Sequence, residues 1–429
     1  DSRGNYSAGG KRNRIGEKTM KSIRQVYKIG RGPSSSHTMG PERAAARFLQ
    51  QCPDADRYVV TLYGSLAKTG KGHGTETAIE ATFAPIPVQI DVNLDRGLKL
   101  PHENTLDIAG YRGEELLLQK RYMSIGGGDV VEEGEDQPES PEVYKENSYA
   151  EIAAYCKARN IRLSEYVRRM EGDEIFSYLS EVWDAMQASV LEGLSKTGVL
   201  PGGLGVERRA QELIDARHMD ESKETYETRV VCAYAFAVSE QNADGGRIVT
   251  APTCGSCGVV PAVLKYYKDA RGYTDRQILD ALAAGGIVGA LVKTNASVSG
   301  AECGCQAEIG TACAMAAAAL AELVGMGVDQ IEYSAEIAIE HHLGLTCDPI
   351  YGLVQIPCIE RNAVAAMRAI NAVTLANFLT HTRKISLDLV IKTMYNTGRD
   401  LNRRYRETAD GGLAKLYLKP KEPVRKESE

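Results

Sequence analysis

Apolar positions change period along this chain. Arg57-Tyr-Val-Val-Thr-Leu-Tyr63 is rich in β-branched and aromatic residues, and Val88-Gln-Ile-Asp-Val92 alternates apolar with polar, so both predict strands. Residues 41–51 predict a helix with Pro41 in its first turn and Thr38 close by as a cap. After Gly126-Gly-Gly128 the segment 130–147 is acidic, proline-containing and aperiodic, which predicts a linker or a long surface crossing. Beyond Tyr149 strand signals fade. The spacing there predicts helices over 151–159, 163–169, 175–197, 223–241, 275–292, 311–325 and 364–378.

The pattern predicts an α+β protein. A small αβ N-terminal domain over 20–146 is followed by a larger, nearly all-helical domain over 149–425. The Ala and Gly density of the second predicts closely packed helices, because small side chains let backbones approach. Residues 1–19 are polar, Gly-rich and basic and read as a disordered leader, with Met20 the more natural start.

Composition narrows the function classes. Apolar content of 43% with 25% charged residues is ordinary for a globular protein in water. A net charge of -6 without a strong basic patch argues against nucleic-acid and anionic-membrane partners. The apolar stretches 281–292 and 312–323 are too short to span a bilayer. Ten cysteines without an export signal predict reduced thiols in a cytoplasm, leaving metal binding, catalysis or burial as their uses.

Several motifs bear on chemistry. Gly32-Pro-Ser-Ser-Ser-His-Thr-Met-Gly-Pro41 precedes a helix, where hydroxyls, an imidazole and free N–H groups make either a carboxylate cradle or simply a serine-rich capping loop. Gly64-Ser-Leu-Ala-Lys-Thr-Gly-Lys-Gly-His73 fails as a P-loop on its spacing and its missing hydroxyl. It reads as a flexible loop carrying Lys71 and His73 toward an anionic substrate, or as a solvated glycine loop. Cys254-Gly-Ser-Cys257 lacks the second pair that zinc requires. A pyridoxal phosphate site at Lys293 is disfavoured, because the triple glycine lies far away in sequence and in the other predicted domain. Cys305, Cys347 and Cys358 occupy turns rich in Gly and Pro. Three thiols without a clear fourth suit a metal group with an open position, although an isolated cysteine is more often a small buried hydrophobe.

GPSSSHTMGPERAA, YGSLAKTGKGH, SIGGG, VLPGGL, TAPT-x-G, KTNASVSGAE, GCQAEIGTACAMAAAAL and EHHLGLTCDPIYGLVQIPCIERNA occur in that order between about 20 and 363. Together they resemble the iron–sulfur L-serine dehydratases in their single-chain form. The resemblance implies an αβ domain covering a helical catalytic domain that holds a [4Fe–4S] cluster on Cys305, Cys347 and Cys358. It implies deamination of L-serine to pyruvate and ammonia, with the open iron on the substrate hydroxyl. Substrate contacts then fall to Ser34, Ser35, Ser36, His37 and Thr38, with Lys71 and His73 nearby and Asn295 and Ser297 from the helical side. His37 or His73 is the expected base. A homodimer is expected on the same ground. Two departures stand out: the family pattern Ala-Pro-Thr-Asn-Gly-Ala-Ala-Gly here carries Cys254 and Cys257, and the sequence ends without the cysteine that some members turn back onto their cluster. Alternatives are a lyase with the same cluster acting on L-cysteine or L-threonine, and a non-catalytic iron–sulfur sensor.

Overall fold

The computed structural model describes residues 19–95, 97–135, 142–407 and 411–417. Apart from Thr19, the predicted leader lies outside them, as does everything from 418 onward. Nine strands are described: β1 (Met20–Lys21), β2 (Ile29–Arg31), β3 (Arg57–Leu62), β4 (Val88–Val92), β5 (Thr105–Arg112), β6 (Glu115–Gly126), β7 (Asp129–Glu132), β8 (Glu142–Tyr144) and β9 (Arg247–Val249). Five form one sheet in the order β4-β3-β5-β6-β7. Only β3 and β4 run parallel, since two helical segments separate them in sequence.

The strand expected from the β-branched and aromatic residues at β3 forms, and its burial alternates. Tyr58, Val60 and Leu62 are buried while Arg57, Val59 and Thr61 are partly exposed. The buried set packs with Phe48 of the helix Gly40–Gln51 and with Ile79 and Phe83 of the helix Thr75–Phe83. Tyr58 and Phe83 stack at 4.1 Å. Each of these fully buried side chains contributes about 1.5–3 kcal/mol.

Two expectations for this half are corrected. The stretch after Gly64 is not a flexible loop: Gly64–Thr69 is a helix that tightens into a 3-10 turn over Gly70–His73. Nor do the three glycines open a linker. Gly127 and Gly128, both at positive φ (59° and 76°), make the tight hairpin turn from β6 to β7, a geometry that glycine adopts without strain. Residues 136–141 of the predicted linker lie outside the described residues.

The larger body is helical, as the 3.6-residue period predicts. The helix Thr311–Leu323 is buried on every side. It packs against Asp275–Asn295, where a Cβ on Gly285 would come within 2.8 Å of the Met315 carbonyl oxygen. Asp275–Asn295 runs three residues beyond its predicted end. By length and composition alone this 21-residue helix is long enough to cross a membrane, which corrects the reading of its apolar stretch as too short. Yet 72% of its apolar window is buried inside the protein, as befits a core helix. Three further helices, Val259–Arg271, Val328–Glu340 and Leu387–Asp400, were not expected from the pattern.

The start of the described chain belongs to this body. Met20, Ile23, Val26 and Tyr27 are buried in the helical core, and β2 pairs with β9 deep in the second half of the sequence. The chain therefore enters through the helical core before it builds the sheet. That route brings the Ser34 segment against Asn242, near the end of the helix Lys223–Ala243, and against Gly246 in the turn that follows.

Candidate active site

The serine-rich motif is itself helical. Ser35–Met39 forms a single wide turn running directly into Gly40–Gln51. The cap is Ser34, whose Oγ accepts from the His37 N–H at 3.3 Å, and not Thr38 as the sequence predicted. Thr38 instead donates its hydroxyl to the His73 carbonyl oxygen at 2.7 Å. Thr75 donates to the His37 carbonyl oxygen, and Ser124 of β6 donates to that of Ser36 at 2.7 Å. The turn is thus pinned from the helix and from the sheet.

The His37 ring lies between two hydroxyls. Nδ1 is 2.9 Å from Ser36 Oγ, and Nε2 is 2.9 Å from Ser65 Oγ. The His73 ring lies 4.7 Å away, centroid to centroid. Burial, with His73 adding to it, pushes the His37 imidazole down to about 3, so the ring is neutral near pH 7. A neutral imidazole with one N–H and one lone pair donates to one of these hydroxyls and accepts from the other. Ser65, which completes this arrangement, was not singled out in the sequence, although it lies in the motif YGSLAKTGKGH.

The other predicted residues of the αβ half divide. His73 is buried beside His37, whereas Lys71 is exposed on the 3-10 turn. Ser35 and Ser36 are partly exposed, and Ser34 is buried. In the helical half Ser297 is buried, its Oγ accepting from the Ser299 N–H. Asn295 is exposed and donates its amide to the carbonyl oxygens of Asn147 and Leu291.

Cys305, Cys347 and Cys358 come together from three segments. Cys305 precedes the turn into Thr311–Leu323. Gly304 before it has φ 75°, and a Cβ there would meet the Leu345 carbonyl oxygen at 2.9 Å, so the approach needs glycine. Cys347 is held by a short parallel bridge, its N–H donating to Tyr405 and its carbonyl accepting from Glu407. Cys358 opens the helix Cys358–Leu379. Its carbonyl accepts from the Asn362 amide, which also donates to the Gly255 carbonyl oxygen at 2.8 Å.

These thiols share one electrostatic environment. A hydrogen bond with Cys305, then burial, then the nearby Glu308 carboxyl hold the Cys347 thiol well above its usual range. Cys358 keeps some exposed surface, yet loss of water, with Cys305 and Glu308 adding to it, raises its thiol as well. Glu308 accepts from Thr253 Oγ1 at 2.7 Å and stands 3.9 Å from Cys347 Sγ, and loss of water raises its carboxyl too. Of the described residues, one positive group stands among them. Arg361 lies against Cys305 and Cys358 and is anchored by the Thr346 carbonyl oxygen at 2.6 Å and by Asp348 at 3.2 Å. Glu308, Thr253, Arg361 and Asn362 were not singled out in the sequence, although each lies inside one of the motifs GCQAEIG, TAPT and IPCIERN.

The two groups are neighbours. Asn242 donates to the Pro33 carbonyl oxygen at 3.2 Å, and Met39 packs with Cys254 and Cys257. That pair is buried and follows Thr253, the hydroxyl partner of Glu308. Gly72 faces Leu353, which lies between Cys347 and Cys358 in sequence. One further correction concerns Lys293. The hairpin tip brings Gly127 up to its Nζ despite their separation in sequence.

Comparison with known proteins bears directly on this arrangement. The serine dehydratase beta chain family matches residues 22–91, and the serine dehydratase alpha chain family matches 112–414. The chain belongs to the serine dehydratase family. It is 43% identical over 448 residues to L-serine dehydratase 1 of Escherichia coli (strain K12), covering 92% of this chain and 99% of that protein. Similarity of 40% extends over 450 residues to the L-serine dehydratase of Haemophilus influenzae, and over 446 residues to that of Streptomyces coelicolor. Each again spans 92% of this chain, with 99% and 98% of the relatives covered. The imidazole turn falls within the beta-chain match of this serine dehydratase family member, and the cysteines fall within the alpha-chain match.

Proposed function

We propose that this chain is an L-serine dehydratase that converts L-serine to pyruvate and ammonia, with Cys305, Cys347 and Cys358 holding a [4Fe–4S] cluster. The observation that carries the reading is the convergence of three thiols from three separate turns beside a hydroxyl–imidazole turn of the other half. The donor set fits a soft, multi-metal group. Cys347 and Cys358, both pushed up by burial and by Cys305 and Glu308, ionise beside Cys305 only next to strong positive charge, and Arg361 supplies a single unit of it.

When bound, the cluster supplies Lewis acidity toward the departing hydroxyl. The chain's own residues supply the rest. Ser34, Ser35, Ser36 and Thr38 line the turn that receives the substrate's polar groups, with Ser297 on the helical side. His37 accepts the α-proton at the ring nitrogen facing Ser65 or Ser36, and His73 packs against it to keep the ring in place. Loss of the α-proton and of hydroxide leaves an enamine, which tautomerises and hydrolyses in water to pyruvate and ammonia. Lys71, exposed at the rim, attracts the substrate's carboxylate. Ten unpaired thiols agree with a reducing compartment, and a cytoplasmic homodimer is part of the proposal.

The test is anaerobic purification with iron and sulfide analysis, followed by product formation from L-serine, L-threonine and L-cysteine. Pyruvate from L-serine, lost together with iron in Cys347→Ser, is the expected result. Iron-bearing protein that turns over none of the three substrates overturns the assignment.

A further inference from the structure

The hairpin tip at Gly127 and Gly128 reaches across to the helical body and meets two ammonium groups there. A Cβ built on Gly127 has only two heavy atoms within 4 Å outside its own chain neighbours: Lys293 Nζ at 3.5 Å and Lys28 Nζ at 3.7 Å. Both lysines are fixed. Lys28 is 5% exposed, and its backbone exchanges hydrogen bonds with Thr250, N–H to Oγ1 at 2.9 Å and carbonyl to N–H at 2.9 Å. Lys293 ends the helix Asp275–Asn295 and donates to a neutral acceptor, the Gln25 carbonyl oxygen, at 3.0 Å. Against them stands one carboxylate, Asp129, 2.5 Å from Lys28 Nζ. Arg43, which donates to the Gly128 carbonyl oxygen at 2.7 Å, adds a third positive charge close enough to be felt at Lys28. Burial first, and Lys293 next, push the Lys28 amine down to about 8. Positive charge is thus concentrated where water is scarce, at the side-chain position that Gly127 leaves vacant.

We propose that Lys28, Lys293 and the Gly127–Gly128 turn form a binding site for one small monocarboxylate at the seam between the sheet and the helical body. Two oxygens on one carbon span two ammonium groups, and a single negative charge leaves Asp129 in place, whereas a dianion such as phosphate would be repelled by it. The occupant ties the tip of β6 and β7 to the helical body. Ser124 sits three residues before that tip and holds the Ser36 carbonyl oxygen, so occupancy orders the imidazole turn. The proposal concerns binding alone and stands or falls separately from the dehydratase reading.

Thermal unfolding of the full chain at fixed ionic strength, with sodium acetate replacing chloride, tests it. The expected result is a saturable rise in midpoint for wild type, larger than with inorganic phosphate, abolished in Lys293→Gln and retained in Lys293→Arg. Should Lys293→Gln not fold, Gly127→Ala, whose methyl enters the same volume, is expected to weaken the acetate response. A wild type without a saturable response, or variants that respond as wild type does, overturns the site. Initial rates then separate two sources of the carboxylate. Acetate that raises the KM for L-serine with kcat unchanged identifies the substrate's own carboxylate as the occupant. Acetate that leaves KM unchanged identifies a second molecule.

Discussion

The turn around His37 and the pocket around Cys347 lie side by side but are built on different terms. In the turn, polar groups find neutral partners close by: imidazole to hydroxyls, hydroxyl to carbonyl. In the pocket, three thiols and the Glu308 carboxyl crowd the Arg361 guanidinium, and Cys305 and Glu308 both push the Cys347 and Cys358 thiols up. The first is complete as it stands. The second becomes electrostatically sensible only when a cationic group binds to it. Residues that satisfy one another locally orient a substrate, whereas residues that repel one another locally hold something else.

Substitution separates the two regions most sharply at the pocket. Cys347→Ser removes one corner of the proposed cluster. Pyruvate formation is expected to fall on the order of 10⁴-fold, since a Lewis-acid contribution of several kcal/mol is lost with the metal. Iron and sulfide content should fall with it while circular dichroism stays native. Activity within tenfold of wild type would end the cluster proposal. In the turn the expected loss is smaller. His37→Asn should lower kcat by about 10²–10³-fold, the range of a general base, with iron content unchanged. If iron drops in His37→Asn as it does in Cys347→Ser, the distinction between the regions collapses.

Arg361 tests the pocket from outside the sulfur set. Its guanidinium is pinned by Thr346 and Asp348 and lies against Cys305 and Cys358, so Arg361→Gln leaves the thiols without their one resident positive charge. A loss of about 10–100-fold in metal retention is expected, as for other outer-shell partners of metal ligands, measured as iron released to a chelator. Arg361→Lys should recover part of the loss, because a point charge replaces the charge without the fork.

How far each region was legible follows from the same contrast. The turn announced itself as a contiguous run, Ser34 to Thr38, and even there the cap was misplaced by four residues because the helix begins inside the motif. Ser65 and His73 reach His37 only through the fold of the segment after β3, which sequence spacing read as a loop. The cysteines were legible as candidates because their turns contain Gly and Pro. Glu308 and Thr253 were not, since a carboxyl and a hydroxyl 55 positions apart carry no shared period. The helix Val259–Arg271 escaped because Val259, Val260 and Val263 look like strand and Pro261 like a breaker. Proline is tolerated in a first turn, and burial of the valines overrides their propensity. The proximity of Lys293 to Gly127 was invisible for the opposite reason: both residues were noticed, and only the hairpin joins them.

The smallest expected effect concerns stability and needs no turnover at all. The native His37 ring titrates at about 3, against 6.5 for an unperturbed histidine, because it is buried and faces His73. Below pH 6.5 the unfolded chain takes up this proton while the native ring stays neutral. The unfolded state therefore binds more protons, and stability falls as pH falls from 6.5 toward 3. By pH 5 this group alone should cost up to about 2 kcal/mol. Urea midpoints for wild type and His37→Asn, compared at pH 7 and pH 5, isolate the contribution from other titrating groups. Wild type should lose more stability than the variant over that interval. Equal losses would mean that the ring is solvated and that the turn, like the pocket, waits for a ligand to complete it.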